Sequence, residues 1–161
     1  MKKHFKSVSA LLFIVVFTFG VSSCTKKFKP VLSSHQGINF KVITLAEAKK
    51  IAKSENKPLF VFTHAIWCST CKKMEQEVLV QKELGDAFNK DFVNVAIDLD
   101  SPEGHKLNEL YAINATPTLF FFKTDGSLAK KSEGFADAED LLADEHQLTK
   151  SWSGLKVGSH F

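Results

Sequence analysis

Cys68 and Cys71, separated by Ser69 and Thr70 and flanked by Trp67 and Lys72, are the residues whose types and spacing can do chemistry. Two cysteines three positions apart can close on each other as a disulfide or hold a metal. The setting decides between them. Where a strand hands over to a helix at the first cysteine, its sulfur meets unpaired backbone N–H groups and the positive end of the helix dipole, which favour thiolate over thiol. A thiolate attacks a disulfide and a thiol does not. A closed zinc site needs four ligands, and His64 and His105 are not spaced as a second pair. The redox reading therefore leads, with a structural disulfide or a zinc half-site as the alternatives.

The neighbouring sequence supplies the required strand and helix. Leu59-Phe60-Val61-Phe62-Thr63 is apolar and β-prone on both faces, the pattern of a central strand covered on both sides. Pro58 stands at its start, where a missing N–H is tolerated. After the cysteines, Lys72 to Leu79 is rich in helix formers.

Upstream, Ile38 to Val42 alternates as a short half-buried strand. Thr44 and Glu47 form a capping box for a helix to about Ser54, with Leu45, Ala48, Ile51 and Ala52 at helical spacing. Downstream, Gln81 to Phe88 reads as a helical piece weakened by Gly85, and Phe92 to Asp98 as a buried strand. Ser101-Pro102 starts a helix through Tyr111. Thr118 to Phe122 is a third apolar strand, Asp125-Gly126 a tight turn, and Leu128 to Ser132 the more exposed returning strand. Asp137 caps a last helix with Leu141, Leu142 and Leu148 facing inward. The alternating strands and helices predict parallel pairing with right-handed crossovers, and the hairpin adds antiparallel pairing.

The N-terminus is of another kind. Lys2, Lys3 and Lys6 precede an apolar run from Val8 to Val21, too short for the about 20 residues of a membrane span but of signal-peptide length. Val21-Ser22-Ser23-Cys24 resembles a bacterial lipobox, which implies cleavage before Cys24 and lipid on that cysteine. The organisation expected is a signal peptide over 1–23, a tether over 24–36, a domain over 37–149 and a polar tail over 150–161. Removing the three leading lysines leaves 21 − 3 = 18 basic residues against 18 acidic ones, so the formal +3 belongs to targeting. The chain has no arginine, which argues against nucleic-acid recognition. Export also sets a redox context in which disulfides persist.

Trp67-Cys68-Ser69-Thr70-Cys71-Lys72 resembles the WCxxCK motif of the thioredoxin-like superfamily. Tyr111-Ala-Ile-Asn-Ala-Thr-Pro-Thr118 resembles its Thr-Pro stretch, about 45 residues after the second cysteine, and Phe120-Phe121-Phe122 before Asp125-Gly126 resembles its hairpin. The resemblance covers Ile38 to Leu148. It implies a thioredoxin fold: an α/β domain with a central mixed four- to five-stranded sheet and helices on both faces. The Glu77 to Gln81 segment resembles the thioredoxin-like C-terminal domain of bacterial transmembrane disulfide reductases and related lipoproteins.

By this resemblance Cys68 is the attacking thiolate and Cys71 the resolving thiol, the two forming a disulfide when oxidised. Pro117 is expected in the cis form, with the Thr116 backbone beside the disulfide to pair with an extended substrate, and Trp67 shields the sulfurs. Ser69, Thr70 and Lys72 tune the pair. Neither a dissociable cofactor nor a metal is implied. Substrates are protein or peptide disulfides, a membrane thiol reductant supplies electrons, and the lipid places the protein in the cell envelope, facing the periplasm or exterior.

Two departures bear on direction. The family's buried aspartate, six residues before the first cysteine, is here Phe62. The dipeptide Ser69-Thr70 lacks the histidine of strong oxidants, which favours a reductant. A redox-silent peptide-binding module and an oxidase or isomerase are the alternatives. His64 reads as a strand-end residue without a chemical role in preference to a stand-in for the aspartate. Glu75 and Glu77 read as helix-surface charges, the phenylalanine run as core, and Asp98 and Asp100 as loop caps.

Overall fold

The computed structural model of the chain describes residues 36–157. The expected signal peptide, Cys24, all of the tether before Gln36, and residues 158–161 lie outside the described residues. Helix α1 (Leu45–Glu55) begins as its sequence dictates. The Thr44 hydroxyl accepts the Glu47 N–H at 3.2 Å, and the Glu47 carboxylate accepts the Thr44 N–H at 3.0 Å. Strand β1 (Leu59–His64) follows, buried at all six positions. Next come α2 (Ser69–Lys73), which continues as a π-helical turn over Met74–Val78, then α3 (Lys82–Asp91) and β2 (Val93–Asp98). Helix α4 (Pro102–Tyr111), strands β3 (Thr118–Phe122) and β4 (Leu128–Glu133), and α5 (Ala138–Val157) complete the order.

The described strands form one mixed sheet in the order β2-β1-β3-β4. Strand β1 is central, parallel to β2 and antiparallel to β3, and β3 pairs antiparallel with β4. Alternation along β1 divides the interior in two. Leu59 and Val61 face Leu45, Ala48 and Ala52 of α1 and Leu107 of α4. Phe60 and Phe62 face the cysteines and Met74, with Leu84 and Phe88 of α3 and Leu141 of α5. The sheet is thus covered on both faces, and each fully buried phenylalanine contributes roughly 1.5–3 kcal/mol by leaving water.

Three local expectations are corrected. Ile38–Val42 does not form a fifth strand; Lys41 alone bridges Val95. The backbone there bonds elsewhere: the Ile38 N–H goes to the Leu79 carbonyl at 2.9 Å and the Asn39 N–H to the Asn89 carboxamide oxygen at 2.8 Å. Gly85 does not weaken α3 but lets it approach the chain. A Cβ there would lie 2.1 Å from the Gln36 carbonyl oxygen, closer than any side chain tolerates. Finally, α5 runs to Val157 through the expected tail, because Trp152 meets Phe92 edge-on at 6.0 Å and gives that end of the helix an apolar contact.

Candidate active site

Strand β1 ends at His64, and the chain turns through Ala65, Ile66 and Trp67, the Cys68 N–H closing on the Ala65 carbonyl at 3.0 Å. Cys68 is the N-cap of α2. It keeps extended backbone angles, and its sulfur accepts the Cys71 N–H at 3.0 Å. A sulfur in this place takes the role that a serine or aspartate oxygen plays at other helix starts, and the same N–H stabilises it as a thiolate. The pair is closed as a disulfide, with Cα atoms 5.3 Å apart. Cys68 is 5% exposed and Cys71 is not exposed at all, so an incoming group meets Cys68 first.

Chain distant in sequence reaches the same end of the sheet, since Thr118 pairs with Thr63. The Thr116–Pro117 peptide bond is cis. The loop that carries it is tied twice on its C-terminal side. The Thr63 hydroxyl accepts the Thr118 N–H and donates to the Thr118 carbonyl, both at 2.8 Å, and the Gly134 N–H donates to the Pro117 carbonyl at 2.7 Å. Trp67 and Thr116 line one groove of about 400 Å³, with Ile113 and Ala115 among its apolar lining and Asp100, His105, Asn108 and Asn114 among its polar lining. Trp67 stays largely exposed while its indole N–H donates to both Asp100 carboxylate oxygens, at 3.0 and 3.2 Å. Another hollow, of about 350 Å³, lies by Pro58 at the opposite end of β1, away from the cysteines.

Two titratable groups sit on the elements that flank the cysteines, His64 at the end of β1 and Glu75 on the π turn that continues α2. His64 is buried, its ring stacked on Phe62 at 5.8 Å and 9°. Its Nδ1 lies 3.7 Å from a Glu75 carboxylate oxygen, a close approach rather than a hydrogen bond. Burial holds the His64 imidazole below its ordinary range, with Asp98 pulling the other way. Burial also pushes the Glu75 carboxyl above its ordinary range, opposed by Lys72. Glu75 is therefore not the surface charge its type suggests: its side chain is 11% exposed. The reason is its place four residues after Cys71, on the inward face of the same helical segment. That spacing was the available signal.

The structure thus brings Trp67, Cys68, Cys71, Thr116 and Pro117 to one end of the sheet. Ser69 and Lys72 stand exposed on α2, and Thr70 is half-buried. Cys24 lies outside the described residues. Asp98 caps its loop by accepting the Asp100 N–H at 3.0 Å. Asp100 does something the sequence did not suggest, since it holds Trp67. Thr63 is a second such residue: it reads as one more strand position, yet its hydroxyl ties the proline loop to β1.

The model of the thioredoxin-like domain family matches residues 45–144. Thioredoxin-1 of Drosophila melanogaster is 33% identical over 107 residues, which cover 66% of this chain and 87% of that protein. The thiol:disulfide interchange protein DsbD of Neisseria meningitidis is 28% identical over 88 residues, 54% of this chain and 15% of that much longer protein. The solution structure of a candidate disulphide isomerase from Bacteroides thetaiotaomicron superposes with a TM-score of 0.61 at 33% identity, covering 78% of this chain and 98% of its own.

Proposed function

The chain belongs to the thioredoxin-like family, as a thiol–disulfide oxidoreductase, and from that premise we propose that it is exported, held at a membrane by lipid on Cys24, and reduces protein disulfides through Cys68 and Cys71. The observation that carries the reading is the Cys68 sulfur at the α2 N-terminus, the outer member of a buried pair, directly after Trp67, which with Thr116 lines a groove.

In the reductive direction the Cys68 thiolate attacks one sulfur of a substrate disulfide. One S–S bond breaks, one thiol leaves, and a mixed disulfide forms. The Cys71 thiolate then attacks the Cys68 sulfur, expels the second substrate thiol, and leaves Cys68 and Cys71 oxidised. A membrane thiol reductant returns two electrons and restores the dithiol. Trp67 and Ile66 offer exposed apolar surface to the substrate, and the Thr116 backbone pairs with it as an added strand. The absence of a histidine between the cysteines supports the reductive direction. The lipobox-like Val21 to Cys24 supports the anchor, and the likeness to the interchange protein supports an envelope location and a redox partner.

Insulin reduction tests the proposal. Cys68→Ser removes the activity, and Cys71→Ser accumulates mixed disulfides at Cys68; full activity in both variants sinks the mechanism. Isomerisation is the second reading, favoured by the likeness to the Bacteroides candidate isomerase. The Cys68–Cys71 reduction potential separates the two, with a low value supporting a reductant and a high one an isomerase or oxidase.

A further inference from the structure

The second step of that exchange raises a proton problem. Cys71 is fully buried, and a thiol of ordinary acidity is mostly protonated near neutrality. Its proton must leave before its sulfur can attack, and water does not reach it. A base must therefore lie inside the protein.

Phe60, Phe62 and His64 alternate onto one face of β1, and that face meets the core that holds both cysteines. Glu75 reaches the same region from the α2 side, four residues after Cys71, where the helix passes into its π turn and the Leu79 N–H reaches back to the Met74 carbonyl at 2.9 Å. Such turns recur at functional sites. His64 is thereby held between the Phe62 ring and the Glu75 carboxylate, with Nδ1 on the Glu75 side.

We propose that His64, backed by Glu75, accepts the proton of Cys71 as Cys71 attacks the mixed disulfide. This rests on the dithiol exchange proposed above. The step balances. The S–H bond of Cys71 gives its proton to the imidazole, the sulfur forms a bond to Cys68, and the Cys68–substrate bond breaks with its electron pair on the leaving sulfur. The imidazolium then gives the proton to the departing thiolate or to solvent. Burial keeps His64 neutral before the step, as a base must be. The groups that face it all bear on the charge it gains. Asp98, its register partner on β2, favours the imidazolium, the Glu75 carboxylate of the π turn lies 3.7 Å from its Nδ1, and Lys72 acts on Glu75 from the helix. The site lacks the aspartate that the family places at the position of Phe62, and His64 lies two residues further along the same face.

The test follows two phases of thiol release from 5,5′-dithiobis(2-nitrobenzoate), added to the reduced full chain in detergent. The first thionitrobenzoate reports attack by Cys68, and the second reports attack by Cys71. Thionitrobenzoate leaves without needing a proton, so the second phase depends on losing the Cys71 proton. His64→Gln is expected to slow the second phase roughly tenfold near neutrality, with the gap narrowing as the pH rises and hydroxide takes over the proton. The first phase stays within about twofold. Glu75→Gln is expected to slow the second phase roughly threefold with the same pH trend. An unchanged second phase, an equal slowing at every pH, or equal slowing of both phases overturns the proposal. If His64→Gln fails to fold, Glu75→Gln decides alone by the same criteria. Absence of the first phase in the unmodified chain is a failure of the dithiol exchange itself, and is distinct from these outcomes.

Discussion

The two faces of the sheet are built from one strand and behave differently. On one side, Leu59 and Val61 meet α1 and α4 in an interior of aliphatic and phenylalanine side chains. On the other, Phe60 and Phe62 begin an equally apolar interior, but toward the C-terminal end of β1 it gives way to His64, Cys68, Cys71 and Glu75. The first face is apolar core as far as Thr63, whose hydroxyl holds the Pro117 loop. The second is core at the β1 N-terminal end and reactive at the other. The difference teaches that a reactive end need not be wet. His64 is buried against the Phe62 ring and Glu75 is nearly so beside it, which keeps their protonation states under the control of a few neighbours.

Substitutions on the two faces should therefore separate chemistry from stability. The largest expected effect is on the reactive end: Cys68→Ser lowers insulin reduction to the uncatalysed background while the chain stays folded, checked by turbidity and circular dichroism. On the apolar face, Phe120→Ala removes a ring stacked on Phe122 at 6.0 Å. It is expected to cost about 3–5 kcal/mol in denaturant unfolding and to leave the rate of Cys68 attack within about twofold under native conditions. A large loss of Cys68 reactivity there would break the comparison. Thr63→Val sits on the boundary. It leaves the Thr118 N–H and carbonyl without their hydroxyl partner, and is expected to cost about 1–3 kcal/mol and raise KM for a peptide disulfide. Asp100→Asn keeps one acceptor for the Trp67 indole and loses the other, so a change in KM of about twofold, with kcat unaltered, is expected.

The smallest effects are pH slopes of stability. Because burial holds His64 below its ordinary 6.5, the unfolded chain binds that proton more readily. Its contribution is complete above about pH 6.5 and is lost as the pH falls. Glu75 is raised above its ordinary 4.5, so its contribution is complete below about pH 4.5 and is lost as the pH rises through its folded value. His64→Gln is expected to flatten the acid side of a urea-denaturation pH series and Glu75→Gln the rise-of-pH side. No change of slope in either variant would show the pair to be solvated.

Much of this was legible beforehand. Thr44 with Glu47, Ser101 with Pro102, and Asp137 start their helices by local hydrogen bonding, which depends on residues three apart and so is written in sequence. The apolar runs at 59–63, 92–98 and 118–122 announce covered strands. Ile38–Val42 misled because alternation shows which side of a segment is apolar, and not whether a partner's backbone is within reach. Glu75 misled because charge type suggests solvent, whereas a helix position four after a buried cysteine points inward.

What the sequence determined by itself is the kind of chemistry: a thiol pair at the start of a helix, with a Thr-Pro further on, in a chain of alternating strands and helices. Each of these depends on near neighbours or on periodicity. The tertiary structure decided that Cys68 is the outer sulfur, that Thr63 fastens the Pro117 loop, that Asp100 holds Trp67, and that His64 and Glu75 meet in the interior. Those are contacts across up to 55 residues of chain. A residue's solvation and partners are set by whichever segments fold against it, and no local pattern carries that information.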